Sequence, residues 1–411
     1  MKRSQSFAKT TKTVPNDETS RSAKLLLQAG FIHKELAGVY DFLPLGMRVL
    51  ENIMQVIREE MDALGAEELR LTALQNKSVW ESSGRWDDSV LDVWFKTKLN
   101  AGGELGLAPT HEEPITRLMQ GYISSYKDLP VYAYQFQTKF RNELRAKSGI
   151  LRTREFMMKD LYSFSKNRAE HDEFYERCAA AYQKIFARLG IGDTTFRTFA
   201  SGGAFSKFSD EFQTLCEVGE DTIYLDREKG IAINEEVYND DTIRDLGLDK
   251  TKLEQHKSAE VGNIFTLGYR FSEALDLCFN DENGVRQQVF MGSYGIGPSR
   301  VMGVIAENLS DERGLCWPDE IAPYRYYLLG IGEAAQKVCA ELYAKAPENI
   351  IWDDRDTARN GEKFADADLM GIPYRVVVSD KTLADGKIEL KNRKTGDVEL
   401  LTIADFTNKL V

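Results

Sequence analysis

Period-two alternation governs the stretch from Tyr134 to Phe164, YQFQTKFRNELRAKSGILRTREFMMKDLYSF. Gln135, Gln137, Lys139, Arg141 and Glu143 fall on one face of a first strand, with Tyr134, Phe136, Thr138 and Phe140 on the other. Arg152, Arg154, Phe156 and Met158 share a face of a second strand. The spacing predicts a hairpin closed by the basic loop Leu144–Leu151. Residues 139–159 carry seven cations against two anions, in a chain whose formal net charge is −12. Positive charge concentrated in an acidic protein suits a polyphosphate or a nucleic-acid end. A solvated charged hairpin explains the segment as well.

A chain of 411 residues, 42% hydrophobic and 29% charged, is long enough for two or three domains with a sizeable core. The five cysteines are scattered and never spaced CxxC, which points to a reducing compartment and away from a disulfide framework or a zinc knuckle. The four histidines are isolated. No run approaches the roughly 18–20 apolar residues of a membrane span, and the polar start MKRSQSFAKTTKTVPNDE shows no secretory signal.

Residues 1–20 are expected to form an extended arm. Helices are predicted over Arg21–Gly30, Met47–Leu64 and Arg168–Leu189, from apolar spacing and, in the first two, a terminal glycine. Residues 222–260 are polar and charge-rich and read as a surface insertion or linker. From about Pro323 the pattern changes: YRYYLLGIG, NIIWDD and YRVVVSD are strands separated by helical segments, then a hairpin and a terminal helix. That alternation predicts a separate open α/β domain with a largely parallel core, whereas the upstream strands and segregated helices predict α+β on an antiparallel sheet.

Three constellations carry chemistry. Arg141 and Arg152, from different strands, can converge on one triphosphate, because a guanidinium fork matches phosphate oxygens. Glu143 can accept from an adenine amino group and Phe156 can stack on the base; structural ion pairs are the competing reading. GSYGIGPSRVMG, Gly292–Gly303, lets backbone approach a ligand and adds Arg300 at a helix start, with Pro298 in its first turn; a structural turn competes. In Pro109-Thr110-His111-Glu112-Glu113-Pro114, a hydroxyl and a carboxylate two apart can bind an ammonium or secondary amine. The same residues also spell a capping box, with Thr110 as cap and Glu113 three residues on.

In this order the pieces resemble the class II aminoacyl-tRNA synthetases: Arg-x-Glu, a loop and Arg-x-x-x-Phe at Arg141/Glu143 and Arg152/Phe156, then a glycine-rich strand-to-helix turn ending in Arg300. More narrowly the chain resembles the bacterial prolyl-tRNA synthetases. The resemblance runs through RSQSF, LLLQAGFIHKELAGVYDFLPLG, WESSGRW, PTHEEPIT, the hairpin, EFQTL, EVGNIFTLGYRFSEAL, MGSYGIGPSR and DDRDTARNGEKFADADLMGIPYRVVVSD, nearly all of the chain outside about 225–257.

The resemblance implies an ATP-dependent, AMP-forming ligase that activates proline and transfers it to tRNA(Pro). Arg141 would hold the proline carboxylate and the ATP α-phosphate. Glu143 would read the adenine amino group above Phe156, and Arg152 and Arg300 would take the γ-phosphate side and the other face of the adenine. Gln213 would contact ATP. Thr110 and Glu112 would receive the imino group, with Trp80, Trp86, Phe205 and Ser293 as pocket wall. Arg141 and Arg300 would be the catalytic cations. Mg²⁺ would accompany ATP, its ligands unassigned beyond an acidic residue near the glycine-rich turn, and no zinc is expected. The implied assembly is a cytoplasmic homodimer without a membrane partner.

The domain division is then 1–224 and 258–322 for the catalytic domain, 225–257 as a short linker, and 323–411 for an anticodon-binding domain with Arg355 and Lys363 as contacts. Two departures stand out. Thr72, in EELRLTALQ, occupies a position where the family's first signature, part of its dimer interface, carries proline. Residues 225–257 stand where many bacterial members insert a domain that hydrolyses mischarged alanyl-tRNA; so short a segment holds no independent core, so no editing in cis is expected. Two other readings remain: a non-charging regulator, which would need the ATP arginines broken, and a sister synthetase for threonine, serine, glycine or histidine.

Overall fold

The computed structural model describes residues 1–202 and 208–410. The chain divides into two compact units, one of Ala37–Val39 and Met54–Val304, the other of Met1–Leu36, Tyr40–Ile53 and Ile305–Val411. The larger is α+β and is built on a nine-stranded sheet. Its strand order is Phe208–Leu215, Thr195–Ser201, Ile231–Asn234, Asp221–Asp226, Glu254–Gly268, Phe290–Ile296, Glu155–Ser165, Val131–Phe140 and Glu67–Glu68. Neighbours run antiparallel except Ile231–Asn234 beside Thr195–Ser201 and Glu67–Glu68 beside Val131–Phe140.

The alternating stretch forms the expected hairpin, Val131–Phe140 against Glu155–Ser165, with Gln137 opposite Met158 and Lys139 opposite Phe156. Its polar face is not solvated. Gln135 and Lys139 are buried, as are Tyr134 and Phe136 on the other face. The helix Arg168–Arg188 begins at Asn167, whose side chain accepts from the Glu170 N–H. It buries Phe174, Tyr182, Ile185 and Phe186, and the rings of Tyr182 and Phe186 lie 5.1 and 5.7 Å from that of Phe212.

Residues 225–257, expected as a linker, are instead part of the sheet. Phe208–Leu215 pairs with both Thr195–Ser201 and Glu254–Gly268, so five strands close into a ring that includes Asp221–Asp226 and Ile231–Asn234. Ile223, Leu225 and Ala232 form one buried cluster, and Ile233, Ile243 and Leu248 another that anchors the short helix Asp240–Asp245. The apolar residues arrive singly or in short runs between charges, so the segment's own periodicity is weak while its distant pairings are strong.

The smaller unit contains a five-stranded sheet in the order Ile350–Asp353, Tyr326–Ile331, Tyr374–Ser379, Lys387–Asn392 and Val398–Thr402. The first three run parallel and the last two antiparallel, as the strand–helix alternation predicts. Leu328, Leu342, Val376, Val378 and Phe406 share its core. The first residues of the chain are laid along this unit: the Met1 ammonium donates to Ile350 O at 2.7 Å, and Thr10 Oγ1 to Asp366 at 2.9 Å. The sequence-based division keeps residues 1–224 together, whereas residues 1–36 pack in the same unit as residues 305–411. Among the described residues no helix is long and apolar enough to cross a membrane.

Candidate active site

The open end of the hairpin meets the glycine-rich turn. Arg141, Glu143 and Arg152 line two adjoining hollows of about 50 and 200 Å³ together with Glu260 and Arg300, and Phe156 joins them in the smaller one. The Arg141 guanidinium lies 5.2 Å over the Phe156 ring, so both sit on one side of the sheet. Its Nε donates to Pro109 O at 3.2 Å. Burial, and after it the charge of Arg300, lowers the Arg141 pKa. Two cations held this close repel, and an anion between them relieves the repulsion. Arg300 Nε donates to Leu151 O and its Nη1 to Glu260 O, both at 2.9 Å, with Glu260 Oε2 at 3.3 Å.

Glu143 and Arg152, expected on a nucleotide, hold each other. Arg152 Nε and Nη2 donate to Glu143 Oε2 at 3.1 and 2.7 Å, and its Nη1 donates to Glu220. Burial opposes the Arg152 charge, but the two carboxylates outweigh it and raise the pKa. The ion-pair reading of this face is therefore partly realised. The loop is anchored at its far end, where Ile150 and Leu151 are buried, while Leu144 is 94% exposed. Glycine at 295 has a plain reason: a Cβ there would lie 2.7 Å from Asn263 Oδ1, and Asn263 Nδ2 holds Glu260 Oε1 at 2.6 Å.

The basic count of the hairpin overstates the charge on offer. Lys139 and Lys159 are both completely buried. Lys159 Nζ donates to Tyr182 Oη at 2.6 Å and Tyr294 O at 3.0 Å, and burial pushes its pKa down to about 8. Gln213 is buried too; its Nε2 donates to Glu211 and Asp221, each at 2.8 Å, and its Oε1 has no hydrogen-bond partner among the described residues.

Thr110 and Glu112, expected to receive an imino group, do not line these hollows and lie against each other. Thr110 Oγ1 lies 2.8 and 2.7 Å from the two Glu112 oxygens, so the hydroxyl is engaged with Glu112 and does not cap the helix Glu112–Met119, which starts at His111 without a side-chain cap. Ser293 Oγ reaches Glu112 Oε1 at 3.5 Å. Arg85, 1% exposed, donates through Nη1 to Glu112 at 3.2 Å and to Glu113 at 3.1 Å. One buried guanidinium thus offsets two buried carboxylates. Trp80 and Trp86 pack with Trp94 in a separate cluster; Trp80 stands beside Arg85, 5.4 Å from its guanidinium. Neither tryptophan borders the hollows at Arg141.

Phe205 lies outside the described residues. Arg355 and Lys363, expected to read RNA, have internal partners. Lys363 is buried with Nζ on Asp353 O at 3.3 Å, and Arg355 is bound by Asp353 at 2.8 and 2.6 Å and by Asp366 at 2.8 Å. Sequence reasoning missed Arg85, Glu220, Glu211 and Glu260. Only Arg85 carried a local signal, its place between two tryptophans in WESSGRW. Among the described residues, one trio able to share a metal ion, His33, Glu35 and Asp41, is exposed.

Burial, partly countered by Arg85, raises the Glu113 pKa to about 7. Unfolded, the group titrates near ~4.3, so between these values the folded chain holds a proton that the unfolded chain releases. Stability contributed by this residue therefore falls as pH rises through that window, by on the order of 3 kcal/mol in total, and is flat above it. In urea titrations Glu113→Gln is expected to gain on the wild type between pH 5 and 7; a difference independent of pH would contradict burial as the cause.

The chain is similar to known proteins along its whole length. Residues 95–309 match the tRNA synthetase class II core domain (G, H, P, S and T), and residues 326–411 match an anticodon binding domain. The proline–tRNA ligase of Anaplasma phagocytophilum is 36% identical over 428 residues, covering all of both chains. That of Bradyrhizobium diazoefficiens is 37% identical over 448 residues, again covering both in full. A crystal structure of prolyl-tRNA synthetase from Cryptosporidium parvum, complexed with L-proline and AMP, shares the fold at a TM-score of 0.75 and 17% identity, over 95% of this chain and 73% of that one. Identity above one third along the whole length settles the kinship: the chain belongs to the proline–tRNA ligase family of class II aminoacyl-tRNA synthetases.

Proposed function

We propose that this chain activates proline with ATP and transfers it to tRNA(Pro). The observation that carries the reading is the meeting of Arg141, Arg152, Arg300, Glu143 and Phe156 around one pair of hollows, in a chain of this family. A proline carboxylate oxygen attacks the ATP α-phosphorus, the bond to the β-phosphate bridging oxygen breaks, and pyrophosphate leaves. A terminal tRNA hydroxyl then attacks the activated carbonyl, its proton is lost, and AMP leaves. Arg141 orients the carboxylate and α-phosphate, and Arg300 and Arg152 hold the rest of the nucleotide. No protein nucleophile is required; positioning and fixed positive charge lower the barrier.

Thr110 and Glu112, with Ser293 beside them, receive the imino group, and Gln213 contacts the nucleotide. Glu143 and Arg152 must part for the adenine to enter, since hollows of this size fall short of the ~300–1,000 Å³ of ordinary small-molecule sites. Mg²⁺ accompanies ATP in this reading. Glu211, held above the usual carboxylate range by burial and by the charge of Glu260, fits it, because a divalent cation shared by the two would relieve their repulsion. Glu211 and Glu260 would hold the ion, which supplies charge neutralisation at the phosphate oxygens. The smaller unit takes the anticodon, and the exposed part of the loop Leu144–Leu151 meets the acceptor end. The working form is a cytoplasmic homodimer.

In ATP–pyrophosphate exchange across an amino-acid panel, proline alone is expected to support rapid exchange, and Arg141→Ala to lose about 10²-fold, the scale of one transition-state donor. Exchange driven faster by another amino acid than by proline, or surviving Arg141→Ala, would defeat the assignment. The ring of strands at 221–258 replaces any editing domain, and a pocket discriminates by only about 1–3 kcal/mol per methylene. Purified protein is thus expected to form alanyl-tRNA measurably and to leave it intact; its rapid deacylation would contradict the lack of editing.

A further inference from the structure

The turn that carries Thr110 and Glu112 is held from beneath by groups that the mechanism above does not use. Lys139 is completely buried, with its ammonium 2.8 Å from Asp160 Oδ2 and in contact with His111 Nδ1. A cation is tolerated at such depth only when paired and hydrogen-bonded. Asp160 Oδ2 accepts as well from Gln135 Nε2 at 3.0 Å and from Tyr162 Oη at 2.9 Å. His111 is itself fully buried and is the residue between Thr110 and Glu112.

Every polar atom that fixes His111 in place is engaged. Its Nε2 lies 3.0 Å from Thr72 O. A carbonyl can only accept, so that nitrogen carries the proton and Nδ1 is left to accept from Lys139. Burial, and then the charge of Lys139, holds the ring's pKa down at about 4, which keeps the ring neutral. The His111 backbone N–H donates to Tyr162 Oη at 3.2 Å, and the same hydroxyl stands 3.4 Å from Glu112 Oε1. The network therefore reaches the turn at three points and touches the Glu112 carboxylate at a fourth.

We propose that Lys139 is a positioning residue for amino-acid selection: anchored on Asp160, its ammonium fixes the His111 ring, and through it the spacing of Thr110 and Glu112. The inference rests on the reading of Thr110 and Glu112 as receivers of the imino nitrogen. A secondary ammonium in a ring offers two N–H donors in fixed directions, whereas alanine's primary ammonium rotates to suit. Loosening the turn therefore costs proline more than alanine. Thr72 enters the same network, because its carbonyl oxygen is the far anchor of the ring.

The test is ATP–pyrophosphate exchange with the full chain, measuring KM for proline, alanine and ATP. Lys139→Met is expected to raise the proline KM about tenfold, the scale of a lost charge-assisted hydrogen bond, to leave the ATP KM nearly unchanged, and to lower the proline-to-alanine ratio of kcat/KM. Lys139→Met/Asp160→Asn removes both buried charges and is expected to keep the raised proline KM while recovering stability. Tyr162→Phe deletes one oxygen and reads the same link if Lys139→Met does not fold. A loss of rate with every KM unchanged, proline and ATP KM rising together, or a double variant with normal proline KM would each overturn the proposal. The wild-type amino-acid panel tests the underlying reading separately, so failure of the one is not mistaken for failure of the other.

Discussion

The antiparallel register between Val131–Phe140 and Glu155–Ser165 decides which side chains can meet. With Lys139 opposite Phe156, the residues just beyond the paired region, Arg141 and Glu143 on one side and Arg152 on the other, are brought to a common end. A slip of one residue would turn all of them to the opposite face. Register is held because both faces are buried: tyrosine and phenylalanine pack on one, and glutamine and lysine are tied into hydrogen bonds on the other.

Buried charge is the second organising constraint. Lys139 with Asp160, and Arg85 with Glu112 and Glu113, are withdrawn from water and stay so only because each has a partner at hydrogen-bond distance. Such pairs add little net stability, yet they specify geometry, since removing one member strands the other. Here they surround the turn that carries Thr110 and Glu112. The partly exposed pairs at Arg152 are of another kind. Arg152 with Glu143 and Glu220 is partly open to solvent, so these pairs are more screened than the buried ones. In the proposed function, the rigid pairs hold the amino-acid half of the site, and the partly exposed pairs at Arg152 are those a polyphosphate would replace.

Much of this was legible in the sequence because period-two alternation, terminal glycines and strand–helix alternation are local signals. The hairpin, the long helix after it and the α/β unit followed from them, and the order of signatures pointed to the family. Other features depended on partners far along the chain. The ring through residues 221–258 was hidden because its apolar runs, at Ile223–Leu225 and Ile231–Ile233, are short, are set apart by the charged stretch Asp226–Lys229, and pair with strands on either side. Lys139 looked like part of a basic surface because alternation assigns a face and cannot say whether that face meets water. Arg85 could not be matched to Glu112 and Glu113 from spacing alone, and Lys363 looked like an RNA contact although its ammonium turns inward to Asp353 O.

The most direct test is a crystal structure of the chain with a non-hydrolysable prolyl-adenylate analogue. The account predicts the adenine against Phe156 with its amino group on Glu143, the Arg152–Glu143 pair parted, and the imino nitrogen held by Thr110 and Glu112. An analogue bound with that pair intact and its imino nitrogen away from Glu112 would contradict it.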